Sequence, residues 1–356
     1  MMVIAMVLKD FSLGGGPRAV YNLCKSMPDV QFIIFGCDGI MRESFEQLPN
    51  IQVNLVEKWN LFTPIAMKKV IENKRIQIAH FHHLLPAILC ANINIGSKII
   101  TFHGLHIKKY QYRFNPFMKL LRKFVKYQIL RNFDQSIVLT SNDEKFLNTL
   151  FNNKFAPKIS IIPNCIEELN LDNKNSLICF DKRYFNILMI ARFDFPKGHD
   201  ILLEHLDFIT SVIKNVRFYF IGDKKVSQLI KTLNRSDAIF LSETLEPYSY
   251  IKSADALIIP SRWEGLPMVA LESLSLGTKV IASNQANLDA LDDEINVYIF
   301  NLFDKNDWID KIKKCMNASE RSIDFEIQRF SPESIAIQMN KLYQQFIGEK
   351  YGKSNL

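Results

Sequence analysis

Short apolar runs alternate along the chain with longer stretches in which apolar residues recur at helical spacing. Each run holds four to six residues rich in Val, Ile and Phe, which is typical of strands buried on both faces of a parallel sheet. The predicted strands are Val3–Leu8, Gln31–Phe35, Ile51–Leu55, Ile76–Phe81, Lys98–Thr101, Gln135–Leu139, Ile159–Ile162, Phe185–Ile190, Val216–Ile221, Ala238–Leu241, Ala256–Ile259 and Lys279–Ala282. Strands that alternate with helices in this way predict doubly wound α/β domains.

The chain of 356 residues is longer than one hydrophobic core usually supports, so two domains are expected. A polar, Asn-rich stretch after residue 166 interrupts the alternation and predicts a linker. Near the end of the chain, Ser331 followed by Pro332 is a typical helix start. The predicted parts are a first domain over 1–168, a linker over 169–183, a second domain over 184–330, and a terminal helix and tail over 331–356.

Composition restricts the class of protein. With 48% apolar and 23% charged residues, the chain is expected to be globular. Its six cysteines are scattered, without metal-ligand spacing, and are interpreted as thiols in a reducing cytoplasm. The apolar stretch at the amino terminus is too short for a signal peptide, and no run of 18 apolar residues follows. These features predict a cytoplasmic protein rather than an integral membrane protein.

Two glutamates flank a predicted strand–loop–helix junction that reads PSRWEGLPMVALESLSLG. Glu264 follows the strand Ala256–Ile259, whereas Glu272 lies in a helix that Pro267 begins and Gly277 ends. Carboxylate oxygens accept hydrogen bonds from adjacent hydroxyls, such as those of a sugar or a ribose. The alternative is that Glu272 is a solvated helix residue and Glu264 a loop acid near the helix amino terminus.

Two cations lie at the carboxyl end of another predicted strand. Arg192 and Lys197 follow Phe185–Ile190 and precede a helical pattern. Together they can neutralise a diphosphate, although each alone is more often a surface charge. Because the chain has no D-x-D carboxylate pair, we expect neither a metal nor any other cofactor.

The first strand leads into a glycine run, Gly14 to Gly16, and then into a helix. Glycines allow backbone amides to approach an anion at a helix start. The run also fits a loose dinucleotide pattern, with Asp38 as a ribose ligand, so a Rossmann oxidoreductase is the main rival. Five residues between the strand and Gly14, together with Pro17 in the turn, weaken that alternative.

Taken together, the segments ARFDFPKGH (191–199), IGD (221–223) and PSRWEGLPMVALE (260–272) resemble glycosyltransferase family 4. Its members are retaining enzymes with the GT-B fold, in which two Rossmann-like domains face a central cleft. The resemblance covers most of the carboxy-terminal half, and the two glutamates separated by seven residues are its specific part. It implies that a terminal helix crosses back to the first domain.

The resemblance also implies roles for single residues. Arg192 and Lys197 would bind the diphosphate of a nucleotide-sugar donor, Glu264 would contact hydroxyls of the transferred sugar, and Glu272 would hold the ribose. His103, in a His–Gly pair after a strand, would contact the donor sugar, although a histidine bonded within the core is the alternative. The implied backbone contacts to the donor are Gly15, Gly16, Gly265, Leu266, Pro267, Met268 and Val269.

The partners expected are the nucleotide-sugar donor and a glycan or lipid-linked acceptor, in the biosynthesis of surface polysaccharide. The net charge is +7, and the segment 106–131 interleaves basic with apolar residues, so it predicts contact with an anionic membrane surface. An amphipathic helix with solvated lysines is the alternative. No motif for nucleic acid accompanies the charge. A binding protein without catalysis remains a third hypothesis for the chain.

One departure from the family concerns the loop after Lys279–Ala282. The family usually has a glycine pair there, but this chain has Ser283 to Asp289 without glycine. Because this loop commonly lies near the nucleotide, the preferred nucleobase is left open. His80 and His82 share one strand face, but no cysteine or acidic ligand lies beside them, so no metal site is expected there.

Overall fold

The computed structural model describes residues 2–105, 124, 127–129, 131–150, 158–167, 180–242, 244, 247–291, 296–318 and 326–351. They form two compact units, the first from residues 1–167 and 328–356 and the second from residues 168–327. The predicted division placed the boundaries at 168 and 330, and most of the predicted linker, residues 169–179, lies outside the described residues.

Unit 1 contains a sheet of seven parallel strands in the order β3-β2-β1-β4-β5-β6-β7. These strands are β1 (Met2–Asp10), β2 (Val30–Cys37), β3 (Ile51–Leu55), β4 (Ile78–Phe81), β5 (Ser97–Phe102), β6 (Gln135–Val138) and β7 (Ile159–Ile161). The order reverses between β1 and β4, which pair in parallel from Ile4 opposite Ile78 onward. The sheet is therefore doubly wound, as the alternating pattern predicts.

Unit 2 repeats this arrangement with six parallel strands in the order β10-β9-β8-β11-β12-β13. They are β8 (Phe185–Ile190), β9 (Val216–Ile221), β10 (Ala238–Leu241), β11 (Ala256–Ile259), β12 (Lys279–Ser283) and β13 (Val297–Phe300). All twelve predicted strands are confirmed, with ends that differ by a few residues. The sequence analysis missed the edge strand β13, whose short run is only half-buried over most of its length.

Helices connect and cover the strands. They are α1 (Gly15–Lys25), α2 (Arg42–Glu46), α3 (Thr63–Lys74), α4 (Leu84–Leu89), α5 (Ser141–Leu150), α6 (His199–Val212), α7 (Lys224–Leu233), α8 (Tyr248–Ser253), α9 (Met268–Ser275), α10 (Lys305–Asn317) and α11 (Pro332–Tyr351). The terminal helix α11 belongs to unit 1, as the resemblance to the family implies.

Alternation along the strands divides the core of unit 1 into two layers. Ile4 and Met6 of β1 join one buried cluster, to which α1 and α11 contribute. Ala5 and Val7 join a second cluster, to which α3 and α5 contribute. Because successive side chains of a strand point to opposite faces, one apolar run serves both layers.

A hydrogen-bonded histidine ties α11 to the sheet. The two ring nitrogens of His80 each lie 2.7 Å from a hydroxyl oxygen, Nδ1 from Tyr343 Oη on α11 and Nε2 from Thr101 Oγ1 on β5. His80 and Tyr343 are both fully buried. Burial lowers the pKa of His80 to about 3 and raises the pKa of the Tyr343 hydroxyl. The buried ring is therefore neutral at pH 7, and both of its nitrogens are satisfied.

We expect unit 1 to lose stability as the pH falls below about 6.5, the usual pKa of an unfolded histidine. In the unfolded chain His80 then takes up a proton, whereas folded His80 does not bind one until the pH nears 3. The stabilisation that comes from neutral, buried His80 is therefore complete above pH 6.5 and is lost on acidification. At pH 5.5 the loss from His80 is about 1.4 kcal/mol. Hydrogen exchange of peptides from β1 and β4, corrected for intrinsic exchange rates, measures this loss of stability between pH 5.5 and 7. The variant His80→Gln should show a smaller dependence on pH, and an unchanged dependence would contradict this assignment.

Candidate active site

In unit 2, the predicted site residues lie where the strand order reverses. The strands β8 and β11 are neighbours in the sheet, and each is also paired with the next strand on its outer side. Ligands of doubly wound sheets bind outside the carboxyl ends of such strands. The loop after β8 carries Arg192 and Lys197, and the loop after β11 carries Glu264.

Lys197 and Glu264 form a close ion pair. Lys197 Nζ lies 2.7 Å from Oε1 and 2.9 Å from Oε2 of Glu264. The Glu264 side chain is only 12% exposed and that of Lys197 is 33% exposed. Ser261 Oγ also donates to Glu264 Oε1 at 2.8 Å. The structure thus joins two residues that were predicted separately, one for a diphosphate and one for a sugar.

The backbone on both sides of Lys197 fixes its position. Asp194 accepts a hydrogen bond from the Phe195 N–H and begins a short 3₁₀ turn, Phe195–Lys197. Gly198 follows in the left-handed region at φ +72°. A Cβ atom at Gly198 would lie 1.9 Å from the carbonyl oxygen of Pro260, so only glycine permits this approach. The loop after β8 therefore packs directly against the start of the loop after β11.

Arg262 holds the same two loops together. Its guanidinium forms two hydrogen bonds to the Asp200 carboxylate, at 2.8 and 2.6 Å, and a third to the Phe195 carbonyl at 2.8 Å. It also lies 4.1 Å from the centre of the Phe195 ring. These bonds lower the pKa of Asp200. Such a planar, bidentate contact suits arginine rather than lysine and makes the loop pair rigid.

Sequence reasoning missed further residues that support the site. Asn287, in the left-handed region at φ +61°, donates from Nδ2 to the carbonyl oxygen of Gly265 at 3.0 Å. Ser283 donates from Oγ to the Ser261 carbonyl at 2.5 Å. Ser283 is the last residue of β12 and Asn287 lies in the loop that follows, within the segment that departs from the family's glycine pair. The position of that segment at the end of a strand adjoining β11 is the signal that could have identified them.

Arg192 is placed differently from Lys197. Its side chain is exposed, in the loop immediately after β8, whereas Lys197 is held against Glu264. The structure therefore puts both cations in one loop but pairs Lys197 alone with the candidate sugar ligand. The predicted contact of Arg192 with a phosphate stays a prediction.

The segment from Gly265 to Val269 leads into helix α9. The sequence predicts that Pro267 begins this helix, but in the structure Pro267 is the residue immediately before it. No side chain caps the start of the helix with a hydrogen bond. The first N–H groups of a helix have no partner within it and can face an anion. Leu266 and Met268 are buried, whereas Val269 is half-buried. The predicted backbone contacts of residues 265–269 with a donor stay predictions.

Glu272 lies inside helix α9 rather than at its exposed surface. The residue is 1% exposed, so the alternative of a solvated helix acid is wrong. A carboxylate in such a place is costly unless a partner or ligand offsets the loss of water. Gly277 ends the helical segment in the left-handed region at φ +72°, as predicted. The role of Glu272 toward a ribose stays a prediction.

Unit 1 brings the glycine run and His103 together. Helix α1 begins at Gly15, after Gly14 in an extended conformation without a side-chain cap. A Cβ atom at Gly16 would lie 3.6 Å from Cδ2 of His103. The helix start and the histidine are therefore neighbours at the carboxyl edge of this sheet.

Both ring nitrogens of His103 contact protein. Nε2 lies 2.9 Å from Nδ1 of His82, and Nδ1 lies 3.2 Å from the side-chain amide of Asn164. Burial lowers the pKa of His103 to about 4, and the Asn164 contact opposes this shift. His103 is therefore neutral at pH 7 and fixed in orientation. Its predicted contact with a sugar stays a prediction.

Asn164 sets the direction of the hydrogen bonds along this row. Its Oδ1 lies against His103 Nδ1 and can only accept, so the neutral His103 ring donates at Nδ1 and accepts at Nε2 from Nδ1 of His82. Burial keeps the pKa of His82 well below its usual value, so this ring is also neutral and carries no proton on Nε2. The Met6 sulfur, 3.4 Å from that nitrogen, is therefore a packing contact.

The features of a dinucleotide site are weaker than the sequence suggests. Asp38, the candidate ribose ligand, is 66% exposed and pairs with Arg42 at 3.2 Å. Among the described residues, no group of three or more His, Cys, Asp or Glu side chains is arranged to hold a metal ion. His80 and His82 stack at 4.1 Å between ring centres, but their nitrogens contact hydroxyls, His103 and a sulfur atom.

Most of the predicted membrane segment 106–131 lies outside the described residues. Within the described part of the chain, no helix combines the length and the apolar character needed to span a bilayer.

Comparison with family models gives two matches. Residues 13–168 match the model described as Glycosyltransferase Family 4, and residues 184–318 match the model described as Glycosyl transferases group 1. The two matched regions contain the residues of both carboxyl edges described above.

Three of the curated relatives are named bacterial glycosyltransferases. The chain is 24% identical to the capsular polysaccharide biosynthesis glycosyltransferase CapH of Staphylococcus aureus, over 96% of this chain and 99% of the relative. It is 25% identical to the O-antigen biosynthesis glycosyltransferase WclY of Escherichia coli, over 78% and 81%. It is 22% identical to the Escherichia coli UDP-Gal:alpha-D-GlcNAc-diphosphoundecaprenol alpha-1,3-galactosyltransferase, over 79% and 84%.

Among solved structures, the Anabaena protein HepE in complex with UDP-glucose superposes with a TM-score of 0.78 at 15% identity, covering 97% of this chain and 100% of that chain. At this identity the likeness shows the fold alone. The family matches, the named relatives and the two doubly wound sheets agree, and the chain therefore belongs to glycosyltransferase family 4, in group 1 of the glycosyl transferases, and has the GT-B fold.

Proposed function

We propose that this glycosyltransferase moves a sugar from a nucleotide-diphosphate donor to a hydroxyl of a glycan or lipid-linked acceptor, with retention of anomeric configuration. The observation that carries the proposal is the Lys197–Glu264 pair at the strand reversal of unit 2. The pair supplies a cation for a leaving phosphate and a carboxylate for sugar hydroxyls, and the two groups lie at hydrogen-bond distance from each other. The donor diphosphate is thus assigned to unit 2.

The pair can serve both groups at once. The Lys197 ammonium has three N–H donors, and the bonds to the two Glu264 oxygens leave one for a phosphate oxygen. Glu264 Oε1 is engaged by Lys197 and Ser261, so Oε2 retains the greater capacity to accept from a hydroxyl. Arg192, exposed in the same loop, supplies a second charge to the diphosphate.

In the proposed reaction the bond between the anomeric carbon and the diphosphate oxygen breaks, and the acceptor hydroxyl forms the new bond on the same face. Cations that are already in place stabilise the negative charge that develops on the leaving oxygen. The acceptor's proton passes to the departing phosphate, so no side chain is assigned as general base. Glu264 and Glu272 act in this scheme as separate ligands, for sugar and ribose, rather than as an acid/base pair.

The biological setting follows from the relatives. One is named for capsular polysaccharide and another for O-antigen biosynthesis, and the name of a third gives UDP-Gal as donor and a diphosphoundecaprenol-linked sugar as acceptor. By analogy we assign this chain to surface polysaccharide biosynthesis, in the cytoplasm at the inner face of the membrane. The family matches do not agree with the alternative function of a dinucleotide-dependent oxidoreductase. We also propose that the transfer reaction requires no metal ion.

Lys197→Ala should lower the turnover of the nucleotide-sugar donor by about 10²- to 10³-fold, because the charge on the leaving diphosphate loses a preorganised cation. The rate at which the nucleoside diphosphate is released measures this turnover. The matched control is Lys231→Ala, which removes an exposed lysine of α7 in the same unit. Since Lys197→Ala leaves Glu264 without its cation, the unfolding midpoint of this variant, compared with that of the wild type and of Lys231→Ala, checks that the loss does not reflect unfolding. Near-normal turnover of Lys197→Ala would remove this residue from the diphosphate site.

The nucleotide specificity of unit 2 is tested by thermal shift with UDP, GDP, ADP and NAD. We expect a nucleoside diphosphate to raise the unfolding midpoint and NAD to leave it unchanged, because binding to the folded state alone stabilises it. The shift and the turnover should both survive EDTA. Stabilisation by NAD alone would support the oxidoreductase, and loss of turnover in EDTA would contradict the proposed metal independence.

Retention predicts that an α-linked donor gives an α-linked product. The anomeric coupling constant of the product, measured by proton NMR on the sugar transferred from the donor that the panel identifies, distinguishes the two outcomes. A β-linked product from an α-linked donor would show inversion and would refute the proposed mechanism.

A further inference from the structure

Three large apolar side chains stand out from the surface of unit 1. Leu61 is 80% exposed, Phe62 76% and Ile65 70%. They fall within five residues, around the start of helix α3. Single exposed apolar residues are ordinary on protein surfaces, but a contiguous group of large ones is typical of a contact surface. We name these three residues the apolar knuckle.

A hydrogen-bonded turn presents the knuckle to solvent. Asn60 Oδ1 accepts from the backbone N–H groups of Phe62, at 2.8 Å, and Thr63, at 3.1 Å. Thr63 Oγ1 in turn accepts from the Asn60 N–H and donates to the Lys58 carbonyl. The backbone is therefore fixed in a shape that directs Leu61 and Phe62 outward instead of allowing them to fold onto the core.

Trp59 locates the knuckle in the fold. Its ring is buried, and Nε1 donates to the Lys9 carbonyl at 2.6 Å. Lys9 belongs to the last part of β1, the strand that leads to the glycine run. The knuckle therefore stands at the carboxyl edge of the unit 1 sheet, the edge where loops of a doubly wound sheet bind ligands.

Basic side chains outnumber acidic ones in the segment that carries the knuckle. Residues 57–75 contain two acidic side chains, Glu57 and Glu72, and five basic ones: Lys58, Lys68, Lys69, Lys74 and Arg75. All seven are exposed, and Glu72 pairs with Lys68 at 3.6 Å. The net charge of this segment is +3. Exposed apolar side chains in a basic segment match a surface that offers phosphate headgroups above hydrocarbon.

We propose that the apolar knuckle inserts into the headgroup region of an anionic lipid bilayer, with Lys58, Lys68 and Lys69 against lipid phosphates. The contact would hold unit 1 at the surface where a lipid-linked acceptor resides. The inference rests on the proposed function only for that acceptor, because lipid binding does not require turnover. It names a surface distinct from the segment 106–131.

Sedimentation with vesicles tests the proposal on the chain of 356 residues. The wild type should bind vesicles of phosphatidylglycerol and phosphatidylcholine, and bind pure phosphatidylcholine at least tenfold more weakly. L61S/F62S/I65S should reduce binding to the anionic vesicles at least tenfold. A matched control, V212S/F303S/I337S, alters three exposed apolar residues elsewhere and should bind like the wild type. The variant K68Q/K69Q should also bind more weakly, and salt should weaken the wild type in the same way.

Two results would overturn the proposal. One is equal binding of the wild type and L61S/F62S/I65S, which would place any membrane contact elsewhere. The other is a wild type that ignores vesicles but self-associates through the knuckle in sedimentation velocity, which would make the occupant a second copy. Donor turnover without vesicles and the unfolding midpoint, measured on the same variants, should match the wild type. A protein that binds vesicles but never turns over a donor would refute the proposed function and not the membrane contact.

Discussion

Parallel pairing of the strands is the constraint on which the rest of the structure depends. In the described part of both sheets every strand pairs in parallel with its neighbours, so all the carboxyl ends of a sheet lie at one edge. The strand order reverses at β1 and β4 in one unit and at β8 and β11 in the other, and the connections diverge there. Each unit thus exposes loop backbone and polar side chains at one edge, while the rest of each strand is buried among apolar layers.

At the carboxyl edge of the unit 2 sheet, Lys197 and Glu264 form an ion pair. Glu264 is mostly buried, and without Lys197 its carboxylate would lose water with only Ser261 in compensation. The pairing allows both groups to remain close to apolar surroundings before any ligand arrives. Arg262 and Asp200 hold the two loops in the same way, so the geometry exists in advance of binding. At the edge of unit 1, three neutral histidines are instead held by hydroxyl, amide and imidazole partners.

Much of this could be predicted from the chain because it depends on local patterns. The apolar runs predict twelve of the thirteen strands found in the described residues, because a buried run can be recognised without knowledge of its neighbours. The edge strand β13 was missed because a short, half-buried run carries a weak signal. Asn287 and Ser283 were missed for another reason: their contacts join the end of β12 and the loop after it to the loop after β11, and only the order of the strands in the sheet makes these segments neighbours.

The sequence by itself determined the doubly wound fold, the site motifs at strand ends and the family. Tertiary structure decided which of those residues meet. It paired Lys197 with Glu264, buried Glu272 inside α9 and engaged both nitrogens of His103 with neighbouring side chains. It also left Leu61 and Phe62 outside the core, although their apolar character alone would place them within it. The physical reason is that periodicity fixes the local conformation, whereas burial and charge pairing depend on residues far apart in the chain.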